Sequence, residues 1–130
     1  MSQNVEVIKS MYAAYAKGDL ADIMNHMTDD VQWTSEGVKQ MSWAGSWHGK
    51  PNTKAFFEGL NKDLESPHLD MNTFIAEGDK VAAFGRYKAT VRKTGKHVDT
   101  PVAHYFRLKD GKVAEYRNFI NSAAVVEAMS

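Results

Sequence analysis

The feature that most constrains the fold is a change of hydrophobic period near Leu69. Before it, apolar residues recur about every 3.6 positions, as in helices, and after it they alternate with polar residues, as in strands. Three turn signals divide the later part into four strands: EGDK at 77–80, TGK at 94–96 and KDGK at 109–112. Because short turns join these strands, they predict an antiparallel meander.

Three helices are predicted before this meander, each from apolar residues at helical spacing beside a start or stop signal. Their predicted bounds, caps included, are Asn4 to Gly18, Asp19 to Asp29-Asp30, and Pro51 to Pro67. A short strand, Val31 to Thr34, precedes a predicted loop, and a closing helix, Ser122 to Met129, follows the meander. Helices followed by hairpins indicate an α+β fold, in which a strongly curved sheet packs its concave face on the helices.

Composition and charge exclude several classes of partner. The chain has 130 residues, 43% of them apolar, enough for one domain, 1–130, to bury about two-thirds of its unfolded surface. Its 16 basic and 16 acidic residues are scattered, so neither a nucleic acid nor a membrane is expected as a partner. No apolar run reaches the roughly 20 residues of a membrane span. The start, MSQNVEV, does not resemble a signal peptide, so the expected location is cytoplasmic.

The chain also lacks the motifs of metal, cofactor and nucleophile sites. It contains no cysteine, and its five histidines show no i, i+3 or i+4 pairing of the kind that metal ligands adopt. There is no glycine-rich phosphate loop and no G-x-S-x-G motif. We therefore expect neither a metal nor a cofactor.

Alternation decides which side chains of the last three strands face the helices. The inner residues are predicted to be Tyr87, His104, Phe106, Tyr116, Asn118 and Ile120. A three-residue loop, Lys109 to Gly111, would put His104 opposite Tyr116 and diagonal to Asn118, whereas a two-residue loop would put it on the face of Arg117. The resulting concave surface is mostly apolar and aromatic, which is typical of a small-molecule pocket.

Each polar candidate has a structural interpretation beside the functional one. His104 is either a core histidine hydrogen-bonded to Tyr116 or Asn118, or an acid-base group near its usual pKa of about 6.5. Asn118 needs a neighbour, a water or a ligand, because burial without a partner costs roughly 1 to 3 kcal/mol. Asn121 is expected to cap the last helix, and Glu36 to be an exposed loop acid.

Aromatic residues in the first half of the chain supply further candidates. Tyr12 and Tyr15 lie on the buried stripe of the first helix, where core packing is the default and a phenol that reaches the cavity is the alternative. Trp43, Trp47 and His48 cluster in the predicted loop, where they form either a lid over the cavity or a separate hydrophobic patch.

Four segments, in this order, resemble the nuclear transport factor 2-like superfamily, and within it the ketosteroid isomerase and SnoaL-type polyketide cyclase branch. They are YAAYAKGDLADIMNHMTDDVQW at 12–33, WAGSWHGKPNTKAFFEGL at 43–60, EGDKVAAFGRYKATVRKTG at 77–95 and DTPVAHYFRLKDGKVAEYRNFIN at 99–121. The resemblance implies a cone of curved antiparallel sheet closed by three helices, with a deep apolar cavity. Proteins of this kind are usually dimeric.

The resemblance also shows that the catalytic groups of the steroid isomerases are replaced. It puts Ser35 where those enzymes carry the aspartate that moves the proton, with Glu36 next to it. Met11 stands at the position of their helix-one tyrosine, with Tyr12 beside it, and His104 at that of their second aspartate. Steroid isomerisation by that mechanism is therefore not expected.

The cyclase motif of the last strand likewise lacks its acidic residues in this chain. SnoaL-type cyclases and related epoxide hydrolases carry a motif resembling W-R-D-Y-F-D, where this chain reads Y-R-N-F-I-N. Asn118 and Asn121 occupy the positions of the two acids, and an amide cannot take up a proton near neutral pH. Of the cyclase pair of a histidine and an aspartate, only His104 is retained.

Two functional hypotheses follow. The chain is either an isomerase- or cyclase-type enzyme acting on a small apolar carbonyl compound, such as a polyketide or a steroid-like ring, or a non-catalytic binding or carrier domain. In the enzyme, His104 would be the acid-base group, and Asn118 or Tyr116 would donate a hydrogen bond to an enolate oxygen. The expected substrate-binding residues are Tyr12, Tyr15, Trp33, Trp43, Tyr87, Phe106, Tyr116 and Ile120.

The opposite face of the sheet has the composition of a protein interface. It is predicted to carry three aromatic residues, Phe84, Tyr105 and Phe119, and three arginines, at 86, 107 and 117. We therefore expect a homodimer through this outer face.

Overall fold

The computed structural model describes residues 3–130 and confirms the α+β prediction. Its elements are α1 (Gln3–Lys17), α2 (Leu20–Asn25), β1 (Met27–Ser35), β2 (Gly45–His48), α3 (Lys50–Asp63), β3 (Leu64–Glu77), β4 (Lys80–Val91), β5 (His97–Lys109), β6 (Lys112–Ile120) and α4 (Ser122–Met129). The strands form one sheet in the order β2-β1-β6-β5-β4-β3. Within residues 3–130, no helix is both long and apolar enough to cross a membrane.

The predicted meander and two predicted helix caps are confirmed. Strands β3 to β6 pair antiparallel with their neighbours, and their turns fall at the three predicted signals. The Asp19 side chain accepts a hydrogen bond from Asp22 N at 3.1 Å and so caps α2. The Asn121 side chain accepts one from Ala124 N at 3.3 Å and caps α4, whose bounds are those predicted.

The turn between β5 and β6 differs from the prediction. Asp110 and Gly111 both have positive φ, 53° and 78°, as in a two-residue type I′ turn, so the loop does not contain three residues. A β-bulge at Ala114 then adds the residue that the turn omits. The bulge also buries Val113, which strict alternation with Glu115 and Arg117 would put on the outer face.

This bulge sets the register of the site. His104 lies directly opposite Asn118, and Phe106 lies opposite Tyr116. The predicted pairing of His104 with Tyr116 is therefore wrong by two residues along β6. The predicted inner face is nevertheless correct, because a shift of two residues keeps every side chain on the same side. All four of these side chains are buried.

The amino-terminal part of the sheet contains two pairings that the sequence did not predict. β1 pairs in parallel with β6, so the sheet is not wholly antiparallel, and β2 forms an edge strand in a region predicted as loop. α2 ends at Asn25 and not near Asp29-Asp30. Met27, which was assigned to the buried stripe of α2, instead opens β1 and is fully buried there.

Two further helix boundaries were predicted incorrectly. Asn4 lies within α1 and does not cap it; its Nδ2 donates to the carbonyl oxygen of Gly78 at 3.4 Å. α3 ends before Pro67, because Leu64 already has extended backbone and pairs with Val91 of β4. Pro67 lies where the pairing of β3 with β4 shifts register, a position that tolerates a residue without an N–H group.

Strands β3 and β4 approach each other very closely at Gly85. Gly85 pairs with Met71, next to a second register shift in β3. A Cβ atom at Gly85 would lie 2.7 Å from Met71 Cα and closer still to the carbonyl oxygen of Asp70. Only glycine therefore fits at this crossing without movement of the backbone.

Candidate functional site

A cavity lies between the concave face of the sheet and the helices α1, α2 and α3. It encloses about 630 Å³ of space, its open mouth included. All ten residues that the sequence singled out line it: His104 and Asn118, Tyr12, Tyr15, Tyr87 and Tyr116, Trp33 and Trp43, and Phe106 and Ile120. The structure thus brings together side chains from five of its elements and one loop.

Six apolar lining residues were missed by the sequence analysis. They are Met11, Ile23, Phe56, Phe57, Leu60 and Leu69. Those on helices belong to apolar stripes, and such a stripe looks the same whether it packs in a core or walls a cavity. No sequence signal separates the two cases.

A row of three polar residues, ending at an alanine, crosses the sheet on the cavity side. Ser35 of β1 is paired with Asn118 of β6. Asn118 is in turn paired with His104 of β5, and His104 with Ala83 of β4. All four are buried. Asn118 Nδ2 donates a hydrogen bond to Ser35 Oγ at 3.2 Å. Ser35 and Asn118, which the family resemblance puts at carboxylate positions, are therefore partners of each other.

An aromatic row lies beside the polar one. Trp33 of β1 pairs with Tyr116 of β6, which pairs with Phe106 of β5. The Trp33 and Tyr116 rings are stacked, with centroids 3.8 Å apart and planes 19° apart. Phe57 of α3 packs on Trp33 from the helix side, at a centroid distance of 5.5 Å. These rings form an apolar aromatic wall.

Helix α1 holds the His104 ring in place. Tyr12 Oη lies 2.7 Å from His104 Nδ1, and the two rings are stacked 5.7 Å apart. Burial raises the pKa of Tyr12, so the phenol keeps its proton and donates it to Nδ1. The imidazole proton is then on Nε2. The sequence had suggested Tyr116 or Asn118 as the hydrogen-bond partner of His104; the partner at hydrogen-bond geometry is Tyr12, while the Asn118 side chain interacts with the imidazole closely enough to raise its pKa.

His104 is not near its usual pKa, contrary to the expectation from the sequence. Burial lowers the pKa of His104 to about 3, and the nearby Asn118 side chain opposes this only in part. No carboxylate is among the residues described as lining the cavity, so nothing there stabilises an imidazolium. His104 is therefore neutral at pH 7.

The four tyrosines of the cavity are also neutral. Burial raises the pKa of Tyr12, Tyr15, Tyr87 and Tyr116. Lysine and arginine are likewise missing from the cavity lining in the described part of the chain. The described lining of the cavity is therefore uncharged at neutral pH.

Three buried polar atoms of lining residues have no hydrogen-bond partner within residues 3–130. They are Trp33 Nε1, Tyr87 Oη and Asn118 Oδ1. Tyr87 Oη is near enough to the Tyr15 hydroxyl for each to affect the pKa of the other, but the two do not meet at hydrogen-bond geometry. Unpartnered buried groups are costly, so these atoms indicate where a ligand or a water would bind.

The Trp43, Trp47 and His48 cluster divides between two environments. Trp43 is buried and belongs to the cavity wall. Trp47 packs against Phe56, with ring centroids 6.3 Å apart, and His48 Nδ1 contacts Gln32 Oε1 on the neighbouring strand. Only Trp43 thus takes part in the cavity.

Glu36 has the structural role that was expected of it. It forms an ion pair with Arg117, with 3.1 Å between Oε2 and Nη2, and both side chains are about half exposed. Such a pair contributes little to stability. Glu36 does not line the cavity, so it is not available there as a base.

Comparison with known proteins gives one family match. A family model described as a SnoaL-like domain matches residues 8–116 of this chain. No curated protein sequence matches the chain significantly.

Several solved structures have the same fold. An NTF2-like protein of unknown function from Burkholderia pseudomallei is 21% identical, with a TM-score of 0.94 over 100% of this chain and 99% of that one. A proposed SnoaL-like polyketide cyclase from Jannaschia is 23% identical, with a TM-score of 0.86 over 98% and 92% of the two chains. TerC, co-crystallised with polyporic acid, is 26% identical, with a TM-score of 0.91 over 98% of both chains.

Proposed function

We propose that this chain, which belongs to the SnoaL-like domain family and the nuclear transport factor 2-like superfamily, binds a small, uncharged, ring-shaped molecule in its cavity. The family membership confirms the resemblance drawn from the sequence. The observation that carries the proposal is the uncharged aromatic wall, in which Trp33 stacks on Tyr116 at 3.8 Å. Such a wall offers aromatic and apolar contact and few polar groups, which is typical of small-molecule sites.

The charge of the cavity selects against ionic ligands. A carboxylate or an ammonium group would lose its hydration on entry, and no lining residue among those described carries a compensating charge. TerC, a structural relative with 26% identity, was co-crystallised with polyporic acid, which supports a small organic molecule as the ligand here as well.

Binding without catalysis is the function that the geometry supports best. The residues at the family's carboxylate positions are uncharged, and Asn118 Nδ2 is engaged by Ser35 Oγ at 3.2 Å. With a pKa of about 3, His104 is a weak base for abstracting a proton from carbon. A binding or carrier domain needs neither a carboxylate nor a basic imidazole.

One observation favours proton transfer as a second candidate. Tyr12 Oη and His104 Nδ1 are 2.7 Å apart, a contact through which a proton can pass. The substrate would be a small apolar carbonyl compound, with His104 as the acid-base group. Because Asn118 donates to Ser35, Tyr116 would be the hydrogen-bond donor to the enolate oxygen.

A single experiment distinguishes these two functions. The protein is mixed with 2-tetralone, a neutral bicyclic ketone, in deuterated buffer; binding is followed by tryptophan fluorescence and α-proton exchange by NMR. We expect quenching with a micromolar dissociation constant, and exchange no faster than in buffer alone. We also expect Ile120→Trp, which fills the cavity, to weaken binding at least about tenfold. Phe119→Trp, on the exposed face of the same strand, should leave binding unchanged.

The opposite results have clear meanings. Exchange faster than in buffer, and lost in His104→Asn, would establish the second candidate. Failure of 2-tetralone and of related bicyclic compounds to bind would remove the proposed ligand class altogether.

We further propose that the chain forms a homodimer through the outer face of the sheet. Phe84, Ala103 and Phe119 form a row across β4, β5 and β6, and the two phenylalanines are 41% and 44% exposed. Exposed aromatic residues grouped on one face of a sheet favour an interface. Light scattering should therefore give twice the 14.5 kDa chain mass at micromolar concentration.

The dimer has a matched pair of variants. Phe84→Glu combined with Phe119→Glu should give a monomer, because two charges would be buried at the interface. Val38→Glu changes an exposed apolar residue outside the sheet and should leave the mass unchanged. A monomeric wild-type protein would refute the interface.

A further inference from the structure

We propose that the ligand carries a hydroxyl group and donates its proton to Asn118 Oδ1. This inference rests on the proposed function and narrows its ligand class to hydroxylated rings, such as phenols and enols. Rings that carry only ketone or ether oxygens would bind less well. The sequence analysis had given Asn118 the opposite role, that of a donor to an enolate oxygen.

The Asn118 amide has a hydrogen-bond partner for its nitrogen but not for its oxygen. The side chain is 8% exposed and lines the cavity. Its donor group, Nδ2, is engaged by Ser35 Oγ at 3.2 Å, whereas its acceptor, Oδ1, has no partner. An amide oxygen without a partner needs a donor, and the cost of leaving it unpartnered favours any ligand that supplies one.

The second argument is that neighbours on both sides fix the orientation of this amide. On one side, Ser35 is paired with Asn118 in the parallel ladder of β1 and β6. On the other side, His104 is paired with it in the ladder of β5 and β6. Tyr12 leaves the imidazole proton on Nε2, so the ring offers a donor. The Asn118 side chain also raises the His104 pKa as a hydrogen-bonding group, so its oxygen and not its N–H group is on the side of the ring. The two groups do not meet at hydrogen-bond geometry, so Oδ1 still lacks a partner.

The third argument comes from the other two unpartnered atoms. Trp33 Nε1 can only donate, so it needs an acceptor on the ligand, and Tyr87 Oη can either donate or accept. A ring with a hydroxyl and a second oxygen carries both the donor and the acceptor that these residues need. A hydrocarbon ring would leave all three atoms unpartnered in a dry site.

The inference is tested with three probes of similar shape: naphthalene, 2-methoxynaphthalene and 2-naphthol. Only 2-naphthol offers a hydroxyl donor, and the methoxy compound keeps the oxygen as an acceptor. We expect the wild-type protein to bind 2-naphthol about tenfold more tightly than 2-methoxynaphthalene. Titration calorimetry near pH 7, where 2-naphthol is uncharged, gives the two dissociation constants.

Two variants locate the effect. Asn118→Leu removes the acceptor and keeps the volume similar, so the ratio of the two dissociation constants should fall to about one while naphthalene still binds. Ser35→Ala removes the partner of Nδ2 and lets the amide turn, so the ratio should fall several-fold without the loss of Asn118 itself. Thermal unfolding checks that each variant is folded, and Ser35→Ala serves alone if Asn118→Leu does not fold.

The outcomes separate this inference from the proposed function. If the wild-type protein binds all three probes equally, the hydroxyl inference is wrong and the ring-binding function stands. The same holds if the preference for 2-naphthol survives in both variants, since Asn118 is then not the acceptor. If none of the three probes binds, the proposed function itself fails.

Discussion

Lowering the pH from 6.5 to 4.5 should remove about 2.3 kcal/mol of unfolding free energy through His104 alone. In the folded protein, burial lowers the pKa of His104 to about 3, whereas in the unfolded chain it is about 6.5. Between these values only the unfolded chain takes up the proton. The contribution of the neutral imidazole is therefore complete above pH 6.5 and declines as the pH falls toward 3.

The matched variant for this prediction is His104→Asn. Asparagine cannot be protonated in this range, and its side-chain oxygen can still accept from Tyr12. In urea unfolding at several pH values, the unfolding free energy of the wild type should fall more steeply with decreasing pH than that of the variant. The two slopes should differ by about 1.4 kcal/mol per pH unit. The carboxylates and other histidines are common to both proteins and cancel in the difference. Parallel curves would mean that His104 is not buried as a neutral group.

Replacing Gly85 with alanine should destabilise the protein by about 3 kcal/mol or more. The added methyl group would meet Met71 Cα at 2.7 Å and the carbonyl oxygen of Asp70 at a shorter distance. Both obstacles are backbone atoms, so no side-chain rotation relieves the clash. β3 would have to move away from β4, and the register shift beside Met71 would be disturbed.

Gly59→Ala is the control for this prediction. Gly59 lies within α3, and a Cβ atom there would meet nothing within 4 Å. Alanine in the interior of a helix is favoured over glycine by about 0.5 to 1 kcal/mol, so this variant should be more stable than the wild type. Urea unfolding of both variants measures the contrast. An equal effect of the two substitutions would show that the close approach of β3 and β4 is not a constraint.

Most of the fold is predictable from the sequence because its signals are local. Alternation and turn residues determine β4, β5 and β6, and Asn121 marks the start of α4. The parallel pairing of β1 with β6 joins segments that are far apart in the sequence, and no local pattern specifies it. The bulge at Ala114 is also invisible, because the residues around it read as an ordinary strand.

The site is predictable to a smaller extent, for a related reason. Alternation gives the face of a strand, so His104, Asn118 and Tyr116 could be assigned to the cavity side without a structure. Hydrogen-bond partners depend instead on how elements pack in three dimensions. The contact of Tyr12 with His104, and the low pKa that burial gives this imidazole, both arise from such packing.

The bulge at Ala114 has a consequence for how this protein can change during evolution. Along β6, residues facing the cavity alternate with residues facing outward, so Asn118 and Phe119 are neighbours in sequence but belong to different surfaces. Substitutions can therefore alter ligand choice and the outer surface independently. If Ala114 instead paired with Arg107 in a regular ladder, the two surfaces would be exchanged, and Arg117 would enter the cavity in place of Asn118. The lineage is thus free in the composition of this strand and constrained to keep its bulge.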